Sequence, residues 1–503
     1  MTYLNTVNNI FSFLNPITDF LWEFPRNLEF YRSIPIISEF SLAILLLIGC
    51  GLYFTLKLNF VQVRYFKKSI EILKNKNETK IGISPMASFL LSSATRIGPG
   101  NIMGVTGAIL AGGPGALFWM WISAFFGMST CFVEATLSQI FKEKNGDDYV
   151  GGIAYYGRRL IKNSKITGFL IAFAYILYAL FTLPSQVFHM FTAFGSVASQ
   201  ITGNSYARTD IIYLVIGLCI ILFTTIIIFG GIKRVTAVTD YIVPIMAVTY
   251  FAIALFLITT NLDKVPYFFT SVFSQAFSPD AIFGGAVGIA LQQGIKRGLM
   301  SNEAGQGTVT MAAAAANAKH PVEQGFIQSF GVFIDTFVIC TISGFLVIIA
   351  NLWNLDGFDF LSLRGDKLGY FIMSLKTLSP SILEKPIQLL VAMCYGMFAF
   401  STILGMIAFI EVSATEISRN KIFLNSMKLI SSLIFIPFGV VCVWSGAELD
   451  NIWIISDLTN IMMVYINVPL IIIGFKYTKN SLENYEGIST TINNYKKEIE
   501  ELN

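Results

Sequence analysis

Two adjacent hydroxyls, Ser401 and Thr402, stand inside an otherwise apolar run, Phe398-Ala399-Phe400-Ser401-Thr402. Paired oxygens in such a setting suit a hard cation such as sodium. The plainer reading is that each hydroxyl bonds back to its own helix. A second run, Ser92-Ser93-Ala94-Thr95-Arg96-Ile97-Gly98-Pro99-Gly100-Asn101, sets two glycines around a proline. Proline removes a backbone donor and clashes with the preceding turn, and glycine weakens a helix, so the pattern predicts a break. A half-helix N-terminus attracts a carboxylate, and C-terminal carbonyls attract a cation. The backbone carbonyls of Arg96 and Pro99 are therefore candidate sodium ligands alongside Ser401 and Thr402. Gly98, Gly100 and Asn101 are candidate substrate contacts. The Asn101 amide can meet both an ammonium and a carboxylate, or it can cap the half-helix.

Charged groups in apolar surroundings form a second set. Arg96 needs a partner or a watery cavity, with Glu134, Glu411 and Asp335 as the acids to test. Asp335 could serve an ion or a proton, or only a structural pair. Lys296, Arg297 and Glu303 are expected towards the cytoplasmic side, as an inner gate or a structural network. Gln186 follows a helix-kinking proline, in Leu183-Pro184-Ser185-Gln186, and reads as ligand contact or interhelical glue. His189 suits a proton relay or plain packing. The cluster Phe283-Gly284-Gly285-Ala286-Val287-Gly288 predicts a second break at 283–288, with Gly285 as a candidate substrate contact.

These residues need a membrane-embedded scaffold. Of 503 residues, 54% are hydrophobic and only 13% charged, about half the usual charged share. That excludes a disordered chain, a nucleic-acid binder and an ordinary cytosolic enzyme. The six cysteines are spread singly through apolar stretches, and the two histidines cannot build a metal centre, so no transition metal and no organic cofactor is expected. No nucleophile elbow, phosphate loop or paired metal ligands suggest catalysis. A removable leader is not expected, because no basic region precedes an apolar core.

A span needs about 20 apolar residues. Eleven candidates run roughly over 38–56, 85–110, 115–141, 166–198, 211–231, 236–260, 281–298, 322–350, 386–415, 424–446 and 452–475. Residues 1–37 read as an interfacial segment. The first span and a basic loop fill 38–84, and a charged tail fills 477–503. With the N-terminus outside, the inner segments carry 23 Lys and Arg and the outer ones 8. This bias predicts a multi-pass cell-membrane protein with its C-terminus in the cytoplasm. The two predicted breaks lie five spans apart. Residues 85–260 and 281–476 thus read as two inverted five-helix repeats, each opening with a discontinuous helix.

Several stretches are specific enough to name a likeness. Gly98-Pro99-Gly100-Asn101-Ile102-Met103-Gly104-Val105, Gly112-Gly113-Pro114-Gly115-Ala116-Leu117-Phe118-Trp119-Met120-Trp121 and Phe132-Val133-Glu134-Ala135-Thr136-Leu137 all resemble the alanine or glycine:cation symporter family. So do Gly294-Ile295-Lys296-Arg297-Gly298-Leu299-Met300-Ser301-Asn302-Glu303-Ala304-Gly305 and Gly331-Val332-Phe333-Ile334-Asp335-Thr336. The likeness covers roughly 40–476. It implies a leucine-transporter-like all-α fold and symport, coupled to sodium or protons, of small neutral amino acids by alternating access. It also implies a pocket glutamine near Gln186. Relatives usually carry threonine at the place of Pro99 and often tryptophan at that of Met406. A smaller, pliable thioether there would admit a substrate larger than alanine, such as glutamine or asparagine. Amino-acid exchange without net ion coupling is the rival reading. An ion channel is disfavoured for want of a repeated filter sequence.

Overall fold

The computed structural model describes residues 12–34, 40–74, 81–277, 286–352, 367–447 and 449–487. Helices dominate, and the one two-stranded sheet among these residues pairs Glu143–Asn145 with Asp148–Val150. The main helices are α1 (Asn15–Glu23), α2 (Leu42–Lys57), α3 (Pro85–Arg96), α4 (Val105–Gly112), α5 (Gly115–Ile140) and α6 (Lys165–Thr202). Next come α7 (Ile211–Ile228), α8 (Gly231–Thr259), α9 (Val265–Ala276), α10 (Ala286–Asn302), α11 (Pro321–Val332) and α12 (Thr341–Ala350). The last are α13 (Lys367–Leu378), α14 (Glu384–Ile417), α15 (Lys421–Ile430), α16 (Ile436–Trp444) and α17 (Leu449–Tyr485).

Among the described residues, eight helices are long and apolar enough to cross a membrane, which makes this an all-α polytopic membrane protein. Three of the eleven expected spans fall outside those eight for identifiable reasons. The first is a short apolar helix, α2; the second is broken; the seventh begins among residues outside the described set. Burial sorts the rest. In α14, 78% of the apolar window is buried, against 28% in α7 and in α8, so α14 runs through the interior while α7 and α8 turn most of their surface to lipid. Helices α6 and α14 pack along their length, and α5 holds α10 and α11.

The first break falls where the Gly-Pro-Gly run predicts. Helix α3 is capped at Ser84, whose hydroxyl accepts from the Ala87 amide at 3.1 Å, and ends at Arg96. The chain turns through Ile97–Pro99 and resumes as a π-helical turn, Gly100–Gly104, running into α4. The second predicted break falls at the edge of the described residues. Residues 286–288 lie inside α10, and 283–285, Gly285 among them, lie outside the described residues. The interruption described in this part of the chain is at 303–309, before the short helix Thr310–Ala315. Glu303, Gly305 and Gly307 have φ of 59°, 93° and 79°. A glycine in a helix costs only about 1 kcal/mol, which packing offsets, whereas a left-handed residue ends the helix outright.

The two ends of the bundle differ in charge. At one end Arg64 meets Glu486 at 3.0 Å, and Glu143 of the hairpin is gripped by Arg158, Arg159 and Arg419. Burial opposes ionisation of Glu143, but those guanidiniums prevail and hold its carboxyl below the usual carboxylate range. At the other end α1 is stitched to the bundle: Trp22 Nε1 donates to the Asp457 carbonyl at 3.2 Å and Tyr465 Oη to that of Leu21 at 2.8 Å.

Glycine sets the closest approach of α10 to α5. A β-carbon on Gly294 would lie 2.4 Å from the Ala116 carbonyl oxygen. Gly294→Ala should therefore force the helices apart and cost roughly 1–3 kcal/mol in thermal unfolding of the detergent-solubilised protein. Gly49→Ala, which meets nothing within 4 Å, should leave the melting temperature unchanged or slightly raised.

Candidate functional site

The two breaks meet. Thr95 Oγ1 donates to Glu303 Oε2 at 3.0 Å, and Arg96 Nε donates to the Asn302 carbonyl at 3.1 Å. Gly100 faces Ser301, whose Cα would be the nearest atom to an added β-carbon, at 3.9 Å. Around this junction lies a cavity of about 60 Å³. The first break contributes Arg96, Gly98, Pro99 and Gly100 to its lining, and α6 contributes Gln186 and His189. Arg297 and Glu303 come from α10 and its end, Thr402 and Met406 from α14, and Trp453 and Asn460 from α17. Residues from five distant parts of the chain thus converge, most of them picked out by type and spacing alone.

The paired hydroxyls bond back to their own helix and also reach across to the broken one. Ser401 Oγ donates to the Phe398 carbonyl at 3.0 Å and Thr402 Oγ1 to the same carbonyl at 2.9 Å. Each also reaches the Ala94 carbonyl, at 3.2 Å and 3.1 Å. The break leaves that carbonyl without its helical donor, because the Gly98 amide turns to the Arg96 carbonyl at 2.8 Å. Four oxygens of two elements therefore share one spot. The structure brings the hydroxyls to Ala94 instead of to the carbonyls of Arg96 and Pro99; the Pro99 carbonyl accepts from Ile102 and Met103. Gly405 permits the contact, since a β-carbon there would sit 2.5 Å from Thr95 Cγ2.

Asn101 points away from the cavity. Its Oδ1 accepts from the Gly98 amide at 2.8 Å and its Nδ2 donates to Asp335 Oδ1 at 2.6 Å. The other Asp335 oxygen accepts from Ser301 at 2.9 Å and Thr336 at 2.8 Å. This buried carboxylate, on a π-helical stretch between α11 and α12, therefore ties the first break to α10.

Arg96 is 2% exposed and makes no ion pair among the described residues. It donates to the carbonyls of Asn302 and Gln328, to Gln328 Oε1 and to Cys131 Sγ. The acids expected as its partners are engaged elsewhere. Glu134 accepts from Asn467 at 2.8 Å, and Glu411 pairs with Lys428 at 2.7 Å.

Lys296 and Arg297 require a correction. They do not sit with the basic loops. Lys296 pairs with Asp457 at 2.8 Å and lies 4.7 Å from the Trp22 ring centroid. Arg297 lies 4.8 Å over Trp453, which Lys367 also faces at 4.8 Å. Asp457 precedes Glu486, the partner of Arg64, by 29 positions, roughly 43 Å along a helix. The pair thus belongs to the end that carries α1, opposite the basic loops. Glu303 lines the cavity instead of joining either end.

Sequence reasoning left Asn460 and Trp453 out of the site. Asn460 Oδ1 and Gln186 Oε1 are buried without a hydrogen-bond partner among the described residues, and both residues line the cavity. The signal was faint: Asn460 is one of five asparagines in a long helix. Two acceptors left open in a cavity call for donors from a ligand or water.

Interrupted spans around a cavity lined with polar side chains are the architecture of a membrane transporter. Residues 30–499 match the family described as "Sodium:alanine symporter family". The chain is 34% identical over 460 residues to the amino-acid carrier protein AlsT of Bacillus subtilis, covering 92% of this chain and 89% of that one. It is 35% identical over 448 residues to the probable sodium/glutamine symporter GlnT of the same organism, covering 88% of each. The sodium/alanine symporter AgcS of Methanococcus maripaludis is 34% identical over 439 residues, 84% of this chain and 90% of that one. The chain belongs to the sodium:alanine symporter family.

The Asp335 cluster generates a structural test. A carboxylate can accept from all three neighbouring donors, whereas an amide presents its own donors to them. Asp335→Asn should lower thermal stability by about 1–3 kcal/mol in detergent melting. A variant that melts with the wild type would show that this cluster does not hold the break.

Proposed function

We propose that the protein imports a small neutral amino acid together with sodium, by alternating access. The observation that carries this reading is the shared oxygen spot of Ala94, Phe398, Ser401 and Thr402, set beside a cavity with two open amide acceptors. Sodium sits among those four oxygens. The substrate ammonium faces Gln186 Oε1 and Asn460 Oδ1. Its carboxylate faces the N-terminus of the half-helix that opens at Gly100, where the dipole is positive. Asp335 acts through Asn101, holding the break in the shape that both ligands need.

The membrane orientation of this reading is N-terminus outside and C-terminus cytoplasmic. Lys296 and Arg297 then belong to an outer gate, with Trp453 as its aromatic plate, and Glu303 to the floor of the cavity. The stretches 85–260 and 281–476 rock against each other as two inverted repeats about the junction of the breaks. Sodium favours the substrate-bound arrangement because the Ala94 carbonyl and the half-helix N-terminus at Gly100 belong to one interrupted segment.

Relatives named for glutamine and for alanine support a substrate of this class. Met406 is the residue proposed to gauge its size, because a flexible thioether leaves room that an indole would fill.

Two measurements in proteoliposomes check this reading. Ser401→Ala with Thr402→Ala should raise the sodium concentration for half-maximal uptake by about tenfold or more, equivalent to roughly 1.4 kcal/mol. Sodium dependence that is unchanged in a folded double variant removes these residues from the ion site. Met406→Trp should shift preference towards glycine and alanine. Apolar pockets discriminate by about 1–3 kcal/mol per methylene, so uptake of glutamine relative to glycine should fall on the order of tenfold. An identical ranking of glycine, alanine, serine, asparagine and glutamine in both proteins overturns the role of position 406.

A further inference from the structure

A second cavity, of about 190 Å³, lies between α1 and α10. One wall carries the carboxyls of Asp19 and Glu23, and the other carries Lys296 with the primary amides of Gln292 and Gln293. Trp22 and Ile44 supply the apolar contact. Asp19 is exposed and forms no ion pair among the described residues. Glu23 is paired with Arg26. Lys296 gives one donor to Asp457 Oδ2 at 2.8 Å, and an ammonium has three. The cavity therefore offers a free carboxylate on one side, and spare cationic and amide donors on the other.

We propose that this cavity is a second binding site, for an α-amino acid zwitterion, ahead of the central one. The ammonium binds at Asp19, and the carboxylate binds at Lys296 between the amides of Gln292 and Gln293. A simple anion would face two carboxyls, and a simple cation would leave the Lys296 and glutamine donors unused. A ligand carrying both charges answers both walls.

The site is wired to the central cavity through two short links. Lys296 and Arg297 are neighbours on α10, one lining the outer cavity and the other the central one. The Lys296 ion pair ends on Asp457, which lies next to Ser456 and one turn from Trp453 and from Asn460, all three lining the central cavity. A ligand that draws on Lys296 therefore acts on the helix turns that close the central cavity.

The choice of amino acids as ligands rests on the transport reading, and the experiment separates the two. The purified full-length protein is taken to saturation in sodium buffer by equilibrium dialysis with tritiated L-alanine and, in parallel, tritiated L-glutamine. The wild type should bind two molecules per chain of the transported amino acid. Asp19→Asn, isosteric and on an exposed position, should weaken one site at least tenfold and leave the other within about twofold. Asp19→Asn with Gln293→Leu should bind one molecule, and Gln186→Ala with Asn460→Ala should keep only the outer one. Saturation of the wild type at one molecule, abolished by the central variant, overturns the outer site while the transport reading stands. Two molecules retained at wild-type affinity by both Asp19 variants overturns it as well. Binding of neither amino acid overturns both readings.

Discussion

Everything in this molecule turns on one constraint: backbone groups freed at a helix break cannot be left unpaired where lipid is the solvent. Each such group costs several kcal/mol, so the protein must supply a partner for every one. At the first break the Ala94 carbonyl is met by Ser401 and Thr402, and the Gly98 amide by Asn101 and the Arg96 carbonyl. At the second, Asn467 reaches the Gly305 carbonyl at 3.0 Å and Gln306 Nε2 reaches that of Leu299 at 2.9 Å. The partners come from α14 and α17 as well as from the broken segments themselves. The breaks therefore dictate which helices must lie in the interior and where their polar residues must stand.

The same constraint explains the placement of charge. Arg96 is buried at the junction, and its donors go chiefly to carbonyls that the second break and α11 present. A guanidinium has five N–H donors in a fixed fork, so it can satisfy several backbone acceptors at once; an ammonium cannot span them. The carboxylates of Asp335 and Glu303 are held by hydroxyls and amides of neighbouring elements, with no direct ion pair among the described residues. Exposed ion pairs gather at the two ends of the bundle, where each is worth little to stability and can exchange partners at low cost. The interior is thus built from hydrogen-bonded geometry, and the ends from charges that can rearrange.

How much of this was legible in the sequence follows from the range of each signal. The first break was readable because Gly98-Pro99-Gly100 acts on its own backbone, whatever surrounds it. Ser401 and Thr402 were readable as oxygens in an apolar helix, but their partner was not: Ala94 carries no polar side chain, and its carbonyl matters only because a distant glycine lets α14 approach. The interruption at 303–309 was not legible for a related reason. Its left-handed residue Glu303 accepts from Thr95 of the broken α3, and a glutamate is not a residue type that marks a turn on its own. Counting loop charges does not locate Lys296 and Arg297, which lie on α10 and whose partners, Asp457 and Trp453, come from the last span. Gln186 was visible beside its proline; Asn460 became part of the site only through folding.

The coupling proposed here needs no long pathway. In the proposed arrangement the ion touches the Ala94 carbonyl at the end of α3, and the substrate carboxylate faces the half-helix N-terminus at Gly100, six residues on. A ligand shifts a conformational equilibrium only by its differential affinity for the two states. Any movement that carries α14 away from α3 takes Ser401 and Thr402 off the Ala94 carbonyl, and it also opens the cavity wall that holds Thr402 and Met406. The ion site and the substrate site are then lost or kept together, because one interrupted segment and one helix form part of both. Linkage makes the effect reciprocal: whatever sodium adds to substrate affinity, substrate adds to sodium affinity. A continuous helix in place of the break would offer neither a carbonyl for α14 to meet nor a half-helix N-terminus beside the cavity, so the costliest local feature of the chain is also the one on which the proposed coupling rests.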